Sequence, residues 1–335
     1  MTELRPMSMG ELIDRSATFW RRHFGVLLRL YLGFQLVQYV VTKLYVFAMA
    51  RWFPILRGGV QAMQVTHSAP EEALRQVFLG FASGGGTMLV YFLITWFTAV
   101  AGTRYAARAY LGTPITLGEA TRAMWRRAGT IVGAFGLSLL WLLGVTLLLM
   151  IPGAGLTLAA ASRADSNPGA VVLAGMGVAL LMLGVVTALL WYLLRFFLTA
   201  QVIAMEDPGA VFAVRRSGAL VSGRIGPRVT DWVKIRATIL VTVVALILTA
   251  VGFVAGLPAL LLNVVYGRIF DPVNADPDAV PQALLVPAEL LQVLAASAIG
   301  PLYVVFGVLF YLDMRARREG LDLELRLDAL RRKAT

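Results

Sequence analysis

The sequence has no cysteine, two histidines and only three lysines among 335 residues. Without cysteine there are no disulfides, no thiolate nucleophile and no thiolate metal ligand, and redox compartment leaves no trace in the chain. Charge is scarce too: Asp, Glu, Lys and Arg make up 15% of the residues, against 59% hydrophobic ones. With a mean hydropathy of +0.75, this balance excludes an ordinary soluble domain. No H-E-x-x-H pair, nucleophile elbow, phosphate loop or dinucleotide fingerprint occurs. Hydrolytic or metal chemistry needs clustered His, Asp, Glu or Cys, so the sequence predicts no enzyme, no catalytic or metal site and no cofactor.

What is present is a series of long apolar runs. Crossing a hydrocarbon core of about 30 Å takes about 20 apolar residues in a helix, and isolated strands are excluded because lipid leaves their backbone unpaired. Six spans are predicted: Phe24 to Ala50, Val77 to Gly102, Thr130 to Ala160, Ala170 to Phe197, Ala237 to Val265 and Leu284 to Leu312. Arg21, Arg22 and Phe24, with Ala48-Met49-Ala50 downstream, echo an export signal. At 27 residues, however, the first run is far too long for a signal core and reads as a retained helix.

The net charge of +11 is a topology signal. Twenty-two Lys and Arg lie in the N-terminal tail, the second and fourth connections and the C-terminal tail, against five in the alternate connections. The positive-inside rule then places both termini in the cytoplasm, with His23 and His67 on opposite sides of the membrane. Basic residues spread over four segments without a recognisable binding module argue for anionic lipid headgroups as partners and against nucleic acid. The candidate headgroup contacts are Arg21, Arg22, Arg126, Arg127, Arg215, Arg216, Arg315, Arg317 and Arg318.

Three of the basic segments resemble one another. Ser8 to Arg22 and Thr116 to Arg127 both open with a hydroxyl followed three residues later by Glu and both close Trp-Arg-Arg, which predicts capping boxes at Ser8/Glu11 and Thr116/Glu119. Met7 and Ile115 precede the caps as staples onto Leu12 and Ala120. A looser third copy has Asp207 as cap, Pro208 at the first helical position and Val211, Val214, Gly218 and Val221 on one face. The fold expected is thus all-α and membrane-integral. It comprises a segment 1–23 with an amphipathic helix, a six-span region 24–312 with amphipathic helices near 116–128 and 207–222, and a basic tail 313–335. It parses as three units of one interfacial helix and a helical hairpin, although any helix entering a membrane needs a cap, an apolar face and terminal arginines.

Ionisable residues within spans are functional candidates by default. Arg29, Lys43 and Arg195 lie near span ends and are expected to snorkel as anchors. Glu289 is the candidate intramembrane polar site: outside the core if the last span is the 20 residues ending at Leu312, and otherwise a buried proton or substrate site. Pro258 and Pro301 are where spans five and six would break in a transporter. The run Ser83 to Gly86 reads as close helix packing or a local break, and Asp271, Asp276 and Asp278 as an exposed loop lacking EF-hand spacing.

The tail carries the most specific pattern. Tyr311, Asp313, Arg315, Arg318, Glu319, Gly320 and Asp322, together with the segments at 4–28, 112–127 and 205–224, resemble a family of bacterial polytopic proteins named for the membrane domain of glycerophosphoryl diester phosphodiesterase. The likeness covers nearly the whole chain. The family's name comes from enzymes in which such a region is fused to a catalytic barrel. Thr335 follows the last span closely and the barrel's acids and histidines have no counterparts, so the resemblance implies a membrane module without that activity, in a bacterial inner membrane. Gly320 is expected to end the last helix as its C′ residue. Leu321, Leu323, Leu325 and Leu327 alternate with charged residues, which predicts an extended segment docked on the chain itself or on a membrane or cytoplasmic protein partner. The functions expected are scaffold, partner-binding or lipid-interacting module. The alternative is a transporter or channel using Glu289, and an enzyme of lipid or glycerophosphodiester metabolism is less favoured.

Overall fold

The computed structural model describes residues 6–52, 70–113, 115–162, 168–225, 227, 231–266 and 280–320. Helices form nearly all of it: α1 (Met9–Arg22), α2 (Phe24–Trp52), α3 (Pro70–Tyr110), α4 (Leu117–Arg126), α5 (Ala128–Ala161), α6 (Pro168–Phe196), α7 (Thr199–Glu206), α8 (Ala210–Val221), α9 (Val233–Val265), α10 (Gln282–Ile299) and α11 (Pro301–Glu319). Among the described residues there is no strand, only one antiparallel bridge between Arg224 and Trp232. Six stretches are long and apolar enough to cross a membrane, so the protein is an all-α membrane protein: Phe24–Ala48, Phe78–Tyr110, Ala128–Ala161, Gly169–Glu206, Val233–Val265 and Gln282–Glu319.

Local chemistry accounts for most boundaries. The predicted box closes at α4, where the Thr116 amide donates to Glu119 Oε2 at 2.9 Å and the Glu119 amide to Thr116 Oγ1 at 3.3 Å. Gly320 stands at φ 68°, the left-handed conformation that ends α11 as expected. One expectation needs correction. Asp207 does not cap α8: it takes φ 50° as the left-handed end of α7, and the extended Gly209 precedes α8 instead. The last span, Gln282–Glu319, is interrupted between α10 and α11 at the Pro301 position named for a break, because Pro301 has no amide to continue the ladder, while Gly300 keeps helical dihedrals and donates to Ala296 O at 2.8 Å. Pro258, by contrast, lies inside an unbroken α9.

The chain divides into two compact units, residues 1–9, 122–240 and 307–335 in one, 10–121 and 241–306 in the other. In the first, α5 and α6 form a hairpin whose backbones touch. A Cβ on Gly153 would come within 2.7 Å of Gly177 O, one on Gly177 within 2.6 Å of Thr157 Cγ2, and one on Gly184 within 2.8 Å of Leu149 O. Such approach is how membrane helices gain dispersion contacts where lipid supplies no hydrophobic drive. Nearby, Trp141 meets Trp191 and Phe196 edge-on, with ring centroids 5.3 and 5.4 Å away. Arg195, expected as a headgroup anchor, stacks over Trp141 at 5.3 Å. Its carbonyl accepts from Ser217 Oγ at 3.0 Å and so seats α8.

In the second unit α2 packs between α3 and α10. Tyr31 is wedged where side chains are missing, 3.3 Å from a Cβ at Gly102 and 3.2 Å from one at Gly300. Gln38 Nε2 donates to Tyr91 O at 2.9 Å and Thr95 Oγ1 at 2.8 Å, joining α2 to α3. Further along α3, a Cβ on Gly84 would lie 2.9 Å from Tyr45 Oη, while Gly85 and Gly86 have open space around them, so of the glycine run only Gly84 makes a close approach. The amphipathic α1 docks by aromatic contacts: Phe19 stacks on His23 at 4.3 Å, His23 Nδ1 lies 3.0 Å from Tyr105 Oη, and Arg15 Nη1 donates to Tyr110 Oη at 3.3 Å. His67 and Asp271, Asp276 and Asp278 lie outside the described residues.

The glycine contacts predict that Gly177→Val forces α5 and α6 apart at a cost of roughly 1–3 kcal/mol, typical of overpacking. Gly175→Val, at a position with open space, should be neutral. Thermal unfolding of the two variants in detergent, followed by size-exclusion chromatography, checks the difference.

Candidate functional site

The Tyr311 to Glu319 motif is organised by helical spacing. Tyr311, Arg315 and Glu319 are each four apart and form one stripe of α11, while Asp313 and Arg317 form a second about 200° around the axis. The two stripes bond to different parts of the first unit.

Asp313 is the centre of the second stripe, its side chain wholly inaccessible. Its carboxylate accepts from the Met7 amide at 2.7 Å, from Arg317 Nε at 3.0 and 3.1 Å, and from Arg236 Nη2 at 3.2 Å. The Met7 carbonyl in turn accepts from Arg236 Nη2 at 3.0 Å and Arg317 Nη2 at 2.8 Å. One carboxylate and two guanidinium groups thus hold both backbone polar groups of a single residue, Met7. An ionised carboxylate without such partners would cost several kcal/mol to bury.

The first stripe binds α7 and α8. Tyr311 donates to Glu206 Oε1 at 2.7 Å, and Arg216 Nε donates to both oxygens of Glu206 at 3.2 Å. Arg216 also bonds to Glu319, whose other oxygen accepts from Arg315 Nε at 2.8 Å. The Arg315 guanidinium lies 5.9 Å from the Tyr311 ring centre. Arg318 closes the end of α8, donating to Ala219 O at 2.8 Å and to Ser222 O. Gly223, at φ 91°, turns the chain beneath it. One turn earlier in α11, Gly307 admits buried Gln201, whose Nε2 a Cβ there would meet.

The nine arginines assigned to headgroups therefore fall into two groups. Arg216, Arg315, Arg317 and Arg318 bond within the chain, and Arg127 pairs with Asp207 at 3.2 Å. Arg21, Arg22, Arg126 and Arg215 are exposed. The leucine alternation at 321–327 lies outside the described residues.

A second constellation, in the second unit, is one the sequence did not assemble. Lys43 and Glu289, expected as separate features, form an ion pair: Nζ lies 2.8 Å from Oε1 and 2.6 Å from Oε2. Tyr39 donates to Oε2 at 2.9 Å, one turn before Lys43 on α2. Lys43 thus does not stand alone as a snorkelling anchor. The two residues are 246 positions apart, a separation at which no local pattern signals a pair. Both side chains are about one-quarter exposed. Comparison with protein-family models, with curated proteins and with solved structures finds no match to the chain.

Asp313→Ala strands two guanidinium groups and the Met7 amide, and should destabilise the fold by about 3–5 kcal/mol, the range for breaking a buried ion pair. Loss of folded protein in fluorescence-detected chromatography is the expected result, with Arg21→Gln unchanged. At the start of α2, burial and then the Arg22 charge hold His23 below the ordinary histidine range. The folded protein therefore binds fewer protons there than the unfolded chain. Its contribution to stability is complete above about pH 6.5 and is lost as pH falls through the lowered value. The protection of the α1 amides, taken relative to the intrinsic exchange rate at each pH, should fall on mild acidification, and His23→Gln should weaken that response.

Proposed function

We propose that this chain is a non-catalytic multi-pass module of a bacterial inner membrane whose short helices hold anionic lipid headgroups at the cytoplasmic surface. The observation that carries the reading is the division of the arginines. Those on the tail motif are spent on the fold, while Arg126 and Arg215 stand exposed beside exposed Trp125 on α4 and Phe212 on α8, and Arg21 and Arg22 close α1. Exposed aromatic and basic residues together on short helices are the chemistry of a membrane interface. Each such arginine contributes about 1 kcal/mol near an anionic surface. The positive-inside asymmetry supports the cytoplasmic side. The likeness of the Tyr311 to Asp322 pattern to the glycerophosphoryl diester phosphodiesterase membrane-domain family supports a membrane module without the enzyme. The sequence alternation of Leu321, Leu323, Leu325 and Leu327 with charged residues suits a partner protein as well.

A second reading, transport, is favoured by the Lys43–Glu289 pair and by the division of the last span at Pro301.

The headgroup reading is tested by native mass spectrometry of protein supplied with phosphatidylglycerol or cardiolipin. Replacing Arg21, Arg22, Arg126 and Arg215 by Gln should lower lipid retention about tenfold or more, since four interfacial charges exceed the 1.4 kcal/mol that corresponds to a factor of ten. Equal retention at unchanged thermal stability would sink it.

A further inference from the structure

Arg195, at the end of α6, is a cation for which the first unit supplies no anion. The described carboxylates of that unit are engaged by other groups: Asp313 and Asp231 by Arg236, Glu206 and Glu319 by Arg216, and Asp207 by Arg127. The Arg195 Nε is buried and has no acceptor among the described residues. Its guanidinium rests instead on the Trp141 ring, 5.3 Å from the centroid. A cation shielded from water and left without a counter-charge carries a desolvation cost that nothing in the chain offsets.

Three helices of the one unit build its seat. α5 brings Trp141, which Trp191 and Phe196 hold edge-on. α8 brings Gly218, where a Cβ would lie 3.9 Å from Arg195 Cγ and 4.0 Å from Cζ, so the side chain runs over a position that has none. Ser217 Oγ ties α8 to the Arg195 carbonyl at 3.0 Å, and α8 also touches α5, since a Cβ on Gly133 would lie 3.0 Å from Ala210 Cβ. The seat is therefore fixed before any ligand arrives. Arg195 as a whole is half-buried, and its Nη groups are neither enclosed nor bonded among the described residues.

Depth and surroundings name the missing anion. Arg195 lies 25 residues beyond Ala170. At 1.5 Å per residue that is about 38 Å, which passes a hydrocarbon core about 30 Å thick and reaches the headgroups. One turn to either side of Trp141 on α5, Leu137 and Gly144 are exposed and offer an apolar strip to an acyl chain. A guanidinium matches phosphate through paired N–H donors, and no free carboxylate stands by to hold the ammonium of a zwitterionic headgroup.

We propose that Arg195, stacked on Trp141, binds the phosphate of one anionic phospholipid per chain, with the lipid's apolar part along α5. The inference rests on the headgroup reading for the class of ligand and differs from it in place, since Arg195 is none of the four exposed arginines.

Native mass spectrometry and thermal unfolding of the full chain in mild detergent, with phosphatidylglycerol added, test it. The unaltered chain should retain one phosphatidylglycerol and melt at a higher temperature with it, and should do so much less with phosphatidylcholine. Arg195→Gln should lower retention of that lipid about tenfold or more and abolish its thermal shift. Without lipid, Arg195→Gln should unfold no lower than the unaltered chain, because the cation removed had no counter-charge. The chain with Gln at positions 21, 22, 126 and 215 should shed its other lipids and keep this one. Loss of the last lipid there, with Arg195→Gln unaffected, sinks this inference and leaves the headgroup reading standing; the opposite pattern does the reverse. Equal retention by Arg195→Gln overturns the proposal, as does a lipid-free Arg195→Gln chain that fails to fold, since the fold itself would then need the cation. Inorganic phosphate that displaces the lipid and raises the melting temperature equally makes the ligand a soluble anion and overturns the lipid assignment.

Discussion

The first unit is built around a charge that cannot be left alone. Asp313 is wholly inaccessible, and the cost of burying its carboxylate is offset only if Arg236, Arg317 and the Met7 amide converge on it. These groups come from the start of α9, from the next turn of α11 and from the chain just before α1. One carboxylate therefore dictates where three distant parts of the sequence meet. The demand is mutual, since the Met7 carbonyl is satisfied by the same two arginines. A network in which every member depends on the others favours one arrangement over many, because a partly formed version leaves charge and backbone unpaired.

The first stripe of α11 extends that order outward. Tyr311 and Arg216 hold Glu206 at the end of α7, Glu319 gathers Arg216 and Arg315, and Arg318 takes the last carbonyls of α8. The short helices are thereby fixed by side-chain chemistry at their ends, while the α5–α6 hairpin is fixed by the absence of side chains at Gly153, Gly177 and Gly184. The two devices suit their surroundings. Close backbone approach works where lipid already solvates apolar groups, and charge-assisted bonds work where helix ends leave donors and acceptors unpaired.

The opposite economy rules the second unit. Among the described residues, its polar contacts inside apolar helices include Gln38 with Tyr91 and Thr95, and Glu289 with Tyr39 and Lys43. The ion pair joins α10 to α2 alongside the packing of Tyr31 against Gly300.

Much of the architecture was legible in the residues. Six apolar runs appear as six membrane-length helices because the hydrocarbon core demands length and internal hydrogen bonding, and both are written locally. The Thr116/Glu119 box and the Gly320 terminus were equally readable, since a cap is settled by three or four neighbouring residues. Asp207 and Pro208 misled because the same residue types also end a helix, and the left-handed turn at Asp207 closed α7 first. Counting arginines gave a charge asymmetry without distinguishing the exposed Arg21 and Arg215 from the internally bonded Arg317 and Arg318. What the sequence determined by itself was the helical, membrane-integral class and the spacing of the tail motif. Tertiary structure alone decided that Asp313 meets Met7 and Arg236, and that Lys43 meets Glu289. Those pairings join residues tens to hundreds of positions apart, and their energy exists only once packing has removed the water between them.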